Sequence, residues 1–146
     1  MLVETLKPGT LPGVKGDDKY VERVFDYGDT TDAYTQLKAL ISFGIDARFV
    51  QNADIGVVKS QIDKGVPVPI GILHHGPASA PSGGGHWCCV IGYDAKGFIV
   101  HDPWGNLDHA SGTYPSTDGN ALHYSFDIIN SRWTVANDHD GWAIIA

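Results

Sequence analysis

The stretch GGGHWCCVIGYD, residues 83–94, brings His86 together with Cys88 and Cys89, the chain's only two cysteines, and the next apolar run, GFIVHDPWG, carries Asp102. A carboxylate that accepts a hydrogen bond from one imidazole nitrogen fixes the ring's tautomer and leaves the other nitrogen to take a proton from a nucleophile. If the two runs pair as a hairpin through Asp94–Gly97, antiparallel register sets His86 near residues 102–105. His86 and Asp102 are therefore the candidate catalytic base and its orienting partner. His101 should point to the opposite face and stand apart.

The cysteines fit a nucleophile less well. Cys88 shares a strand face with His86 at a Cα separation of about 6.6 Å, so its side chain would run parallel to the imidazole among neighbours such as Val90. Activated thiols favour helix N-termini and partly exposed electropositive places. Both cysteines are expected to be core packing, and as neighbours they do not reach unstrained disulfide geometry. His74, His75, His86, His101 and the NDHD run (137–140) are ligand types, but their spacings match no compact zinc pattern, and an extended His74-His75 would point its rings apart. No metal and no cofactor is expected. The Pro/Ser/Gly-rich loop from His74 to Gly85 reads as a mobile wall over a cleft. Within it Gly84 and Gly85 would leave room for a substrate backbone, with Trp87, Trp104 and Tyr114 as apolar lining.

Helices and then strands must position these groups. DDKYVERVFDYG places Tyr20, Val21, Val24 and Phe25 on one helical face, capped by Asp17 or Asp18 and closed by Gly28. TTDAYTQLKALISFG turns Tyr34, Leu37, Leu40 and Ile41 inward, from a Thr cap to Gly44. Residues 45–50 alternate as a strand, and a third helix runs from an Asp54 cap to Gly65. From Val66 onward VPVPIGIL, HWCCVIGY, GFIVHD and GWAIIA are short apolar strands. The prolines put the first of these at a sheet edge, or start it at Val68 or later. A long polar loop and a short helix around YSFDIIN fill the interval before Gly141. Helices followed by antiparallel strands make an α+β fold.

With 146 residues, 42% of them hydrophobic, the chain can build one core as a single domain spanning 1–146. A formal net charge of -7, with no Lys/Arg cluster, excludes nucleic acid as a partner. No apolar run nears the roughly 20 residues that span a bilayer, which implies a soluble chain with no membrane partner.

The runs YGDTTDAYTQLKALISFGIDARF, IDKGVPVPIGILHHGPASAPSGGGHWCCVIGYD, FIVHDPWGNLD, LHYSFDIINSRWTV and GWAIIA cover most of residues 17–146. In order and spacing they resemble the papain-like cysteine peptidases typified by the leader peptidases of bacteriocin exporters, in particular their phage and bacterial branch. The resemblance implies a papain-like fold, His86 as general base and Asp102 as its partner. It also implies a nucleophilic cysteine at the N-terminus of the first helix, preceded by an oxyanion-hole Gln, and neither has a counterpart here. MLVETLKPGTLPG is similar to the second half of that helix, so the cysteine is expected a few turns before Met1.

Two functions follow from the resemblance. One is hydrolysis of peptide or peptidoglycan cross-bridges by a phage-type cysteine peptidase. The other is a catalytically inactive structural or binding component of a virion tail or baseplate; a metal-dependent hydrolase ranks third. The expected location is a phage virion, or the host cytoplasm or cell envelope. With half its first helix missing, the chain is expected to expose an apolar groove at Leu2, Val3 and Leu6 that accepts a partner protein.

Overall fold

The computed structural model describes residues 1–146. Four helices enter first: α1 (Leu2–Leu6), α2 (Gly13–Phe25), α3 (Ala33–Ser42) and, after strand β1 (Arg48–Ala53), α4 (Ile55–Ile62). Then come β2 (Val68–Ile72), β3 (His86–Tyr93), β4 (Gly97–His101), a small ribbon of β5 (Asn106–Asp108) and β6 (Thr113–Ser116), β7 (Leu122–Ser125), α5 (Phe126–Trp133) and β8 (Gly141–Ile145). The main sheet has six strands in the order β1-β8-β2-β3-β4-β7, and every pair in it is antiparallel. The α+β class expected from the residues is the one observed. No helix is long and apolar enough to cross a membrane.

Period-two alternation gives the sheet two buried faces. Val68, Ile70, Ile72, Cys88, Val90, Phe98, Val100, Ala143 and Ile145 face one core, closed by Val58, Ile129 and Trp133. Ile144 points the other way, into a second core with Leu2, Val3, Leu11, Leu40 and Ile45, against which Trp87 packs. Asp32 and Asp54 cap α3 and α4 with their carboxylates, and Gly44 and Gly65 end those helices at positive φ.

Several expectations are corrected. Helix α2 starts at Gly13 after Pro12, not at Asp17 or Asp18, because Gly16 lets its first turn close onto the Leu11 backbone, where a Cβ would clash. Its apolar stripe is narrower than the sequence pattern: Val24 is buried, whereas Val21 and Phe25 are exposed. On α3, capped by Asp32 rather than a Thr, the small residues Ala33, Thr35 and Ala39 face inward with Leu40, leaving Tyr34 and Ile41 outside. Strand β2 is interior, but it does begin at Val68. Its ladder to β8 registers only Ile70 and Gly71, so Pro69 is not part of it. The short helix expected around YSFDIIN is α5, but it starts at Phe126 and Tyr124 lies on β7, and the polar stretch before it is not a plain loop: it holds β5, β6 and β7. Leu2 and Val3 are buried in the second core, so they line no open groove; of the three residues only Leu6 is exposed.

Candidate active site

His86 opens β3, and Asp102 follows the last residue of β4. The β3–β4 ladder pairs Tyr93 with Phe98 and Gly92 with Ile99, then shifts at a bulge and pairs Val90 with Val100 and Cys89 with His101. Residues directly opposite in an antiparallel ladder share a face, and a one-residue slip exchanges faces. Without the bulge Asp102 would lie on the Cys89 side. With it, Asp102 falls on the face of Cys88 and His86, and His101 turns away, where its Nδ1 accepts from the Ala121 amide.

His86 Nε2 donates to Asp102 Oδ1 at 2.8 Å, and both side chains are almost fully buried. The same Oδ1 accepts from the Trp104 amide (3.0 Å), an Asx-type turn that sets the DPWG corner, and Oδ2 accepts from the Tyr124 hydroxyl (2.9 Å). Burial and the Asp102 charge raise the Tyr124 phenol well above its ordinary range, which keeps it a donor. Three donors on one buried carboxylate offset the cost of removing it from water. The imidazole is left with Nδ1 as its basic nitrogen.

Aromatic rings enclose this imidazole. His74 lies nearly parallel to it, with centroids 4.5 Å apart and planes 12° from parallel. Trp104 and Tyr114 meet it at steep angles, at 5.8 Å and 6.1 Å. The Tyr114 hydroxyl also reaches His74 Nδ1 (3.2 Å). The His74 and His75 rings do not point apart as expected; their centroids are 3.9 Å apart, because the chain leaves β2 before them and bends, pairing His75 with Ser82. His74 is buried, so its segment is a packed wall of the site.

The glycine-rich lead behaves differently at each position. Gly85 has φ +85°, and a Cβ there would strike Thr31, so its glycine is demanded by the backbone and by the α2–α3 loop. Gly84 has only an ordinary contact with Leu73, and together with Gly85, Leu73, Trp133 and Trp142 it lines a cavity of about 210 Å³. Trp104 is exposed beside the imidazole. Trp87 is parted from it: as His86's neighbour on a strand it takes the other face, packs edge-on against Phe49 at 6.1 Å and donates to the Thr31 carbonyl.

The cysteines lie as core residues do. Cys88 is buried and Cys89 partly so, and neither is in a disulfide. Burial, with the Asp102 charge second, pushes the Cys88 thiol well above its usual range, and burial pushes Cys89 up to about 12. No three of the chain's His, Cys, Asp and Glu side chains are grouped to hold a metal ion.

Two neighbours of the pair are not marked by the residue pattern: His74 as a stacking partner and Tyr124 as a donor. The alternation of LHYS, with Tyr124 inward, was the available signal for one of them. A family model described as Peptidase_C39 like family matches residues 13–132. Comparison with curated proteins and with solved structures gave no match. The chain belongs to this family, and its helices and antiparallel sheet are those of a papain-like cysteine peptidase fold.

Proposed function

We propose that this member of the family serves hydrolysis of a peptide bond, in a peptide or a peptidoglycan cross-bridge, with His86 as general base and Asp102 as its orienting partner. What supports the reading above all is the buried 2.8 Å bond between Nε2 and Oδ1, which commits one ring nitrogen and leaves the other to react. Nδ1 takes the proton of an attacking thiol, and the sulfur adds to the scissile carbonyl carbon. The imidazolium then returns that proton to the departing amine, leaving a thioester that water hydrolyses with the same nitrogen as base. Neither Cys88 nor Cys89 is the thiol: Cys88 is buried in the core and Cys89 lies on the strand face away from His86. A cysteine other than these two would supply it. Gly84, Gly85 and Trp104 are the proposed substrate contacts.

The state of the two cysteines also favours a second reading, an inactive structural or binding component of a phage virion, in its tail or baseplate. One experiment separates the two. The chain is expressed with whatever precedes Met1 in its reading frame and incubated with a peptide panel and with purified peptidoglycan. Hydrolysis that iodoacetamide blocks, and that His86→Ala lowers by about a thousandfold or more, is the expected result. No hydrolysis and no alkylatable cysteine beyond Cys88 and Cys89 overturns the first reading in favour of the second.

A further inference from the structure

Arg132 is the largest fully buried side chain in the molecule, and no carboxylate pairs with it. Its guanidinium donates only to backbone carbonyls: Nε and one terminal nitrogen to His109, the other terminal nitrogen to Leu73 (3.1 Å) and His75 (3.2 Å), and the first again to Gly76 (2.7 Å). The Leu73 amide in turn donates to the Arg132 carbonyl at 2.9 Å. The two segments so joined also touch directly. Ala78 donates to the Ala110 carbonyl, and Gly112 lies so close to Gly76 that a Cβ would overlap its backbone. A buried guanidinium is costly to keep, and five N–H groups spread over four carbonyls hold a loop conformation more tightly than any single contact. The residue held at the centre of that loop is His74, whose ring lies on His86.

We propose that His74 is a positioning residue for His86: its ring, locked by the Arg132 clamp and by Tyr114, fixes the plane of the His86 imidazole and seals the Nε2–H···Oδ1 bond to Asp102 from water. Trp104 and Tyr114 meet the imidazole at steep angles, whereas His74 is stacked nearly parallel on it and is the nearest of the three rings. Burial, then the His86 and His75 charges, hold His74 down to about 4, so at neutral pH it is an uncharged ring that does not oppose a proton arriving on His86. The assignment rests on the reading of His86 as a base, but the seal is a property of the pair itself and is read without any substrate.

The test is exchange of the His86 Nε2 proton with water, followed by NMR on ¹⁵N-histidine-labelled chain, with the amides of β2 and β3 as the control for folding. In the parent the proton is expected to be protected and to show as a resolved downfield signal. His74→Ala should exchange it at least about tenfold faster, while His74→Phe, which keeps a ring in place, should stay within about threefold of the parent. Arg132→Lys keeps a charge but not the fork, and should fall between them. Unchanged exchange in His74→Ala, or equal loss in His74→Phe and His74→Ala, overturns the stacking role. Full protection in Arg132→Lys overturns the clamp. Absence of peptide hydrolysis would sink the proposed catalysis and leave these outcomes as they are.

Discussion

The molecule contains two His–Asp pairs beside the β3–β4 hairpin, and they differ in almost everything except composition. His86 and Asp102 meet at 2.8 Å with side chains 4% and 0% exposed, whereas His123 and Asp94 meet at 3.1 Å with side chains 41% and 53% exposed. The outer pair sits at the hairpin turn, where Asp94 is occupied chiefly with the turn amides of Lys96 and Gly97. Its carboxyl is held below the usual range first by the Lys96 amide and only then by His123. Water competes for both of its side chains, so the pair constrains little. At the inner pair water is replaced by Tyr124, the Trp104 amide and a stack of rings, and the imidazole has one orientation. Proximity of the two residue types is common to both pairs; burial, with the carboxylate fully hydrogen-bonded and one imidazole nitrogen left over, is what distinguishes a candidate catalytic pair.

That contrast can be broken experimentally, and the widest separation is expected in rate. In a form of the protein that hydrolyses peptide, His86→Ala or Asp102→Asn should lower kcat/KM by about a thousandfold or more, and His123→Ala should leave it within about twofold. A comparable loss from His123→Ala would erase the distinction. Next in size is thiol reactivity on the His86 face. Cys88, pushed up by burial, should be alkylated at neutral pH at least about a hundredfold more slowly than a free cysteine, as judged by iodoacetamide labelling and mass spectrometry. Fast labelling would mean that this face opens to solvent.

Stability should separate the pairs more modestly. Asp102→Ala strands the His86 and Tyr124 donors in the core and should cost about 3 kcal/mol by urea unfolding, while Asp94→Ala should shift Tm by less than about 3 °C. Acid gives a gentler slope. His74 and His109 are held near 4, mainly by burial, against an ordinary value of 6.5. Between those values the unfolded chain binds more protons than the folded one, so stability falls as pH drops from about 6.5 to about 4 and these two groups add nothing further below that. His74→Phe with His109→Phe should flatten that part of the urea-midpoint profile; an unchanged profile would remove both residues from the account. The smallest effect is His123→Ala alone, with Tm within about 2 °C of the parent.

Much of the architecture was legible in the chain because local rules govern it. The Asp54 cap, the glycine stops at Gly44 and Gly65, the hairpin at Asp94–Gly97 and the alternation that puts Cys88 inward all follow from short-range chemistry. Misreadings arose where packing outweighs pattern. Tyr34 and Ile41 have the right spacing for a core face, but the small residues beside them allow a closer approach and take that face instead. The 74–75 step reads as loop with its rings pointing apart, whereas the two rings lie together, because its anchor, Arg132, lies far along the chain and is recognised only through carbonyls that sequence does not mark.

By itself the sequence determined the residue types of the site and the hairpin that brings them near one another, since both depend on turn chemistry and strand period. Only the tertiary structure decided that His86 and Asp102 share a face. A plain ladder from the Asp94–Gly97 turn would have set Asp102 opposite Cys89, and the bulge between Val90 and Gly92 moves it by one residue to the side where His74, Tyr114 and Tyr124 wait. The physical reason is the two-residue period of a strand: a single inserted residue reverses every face beyond it, and which register wins is settled by the cores on either side of the sheet.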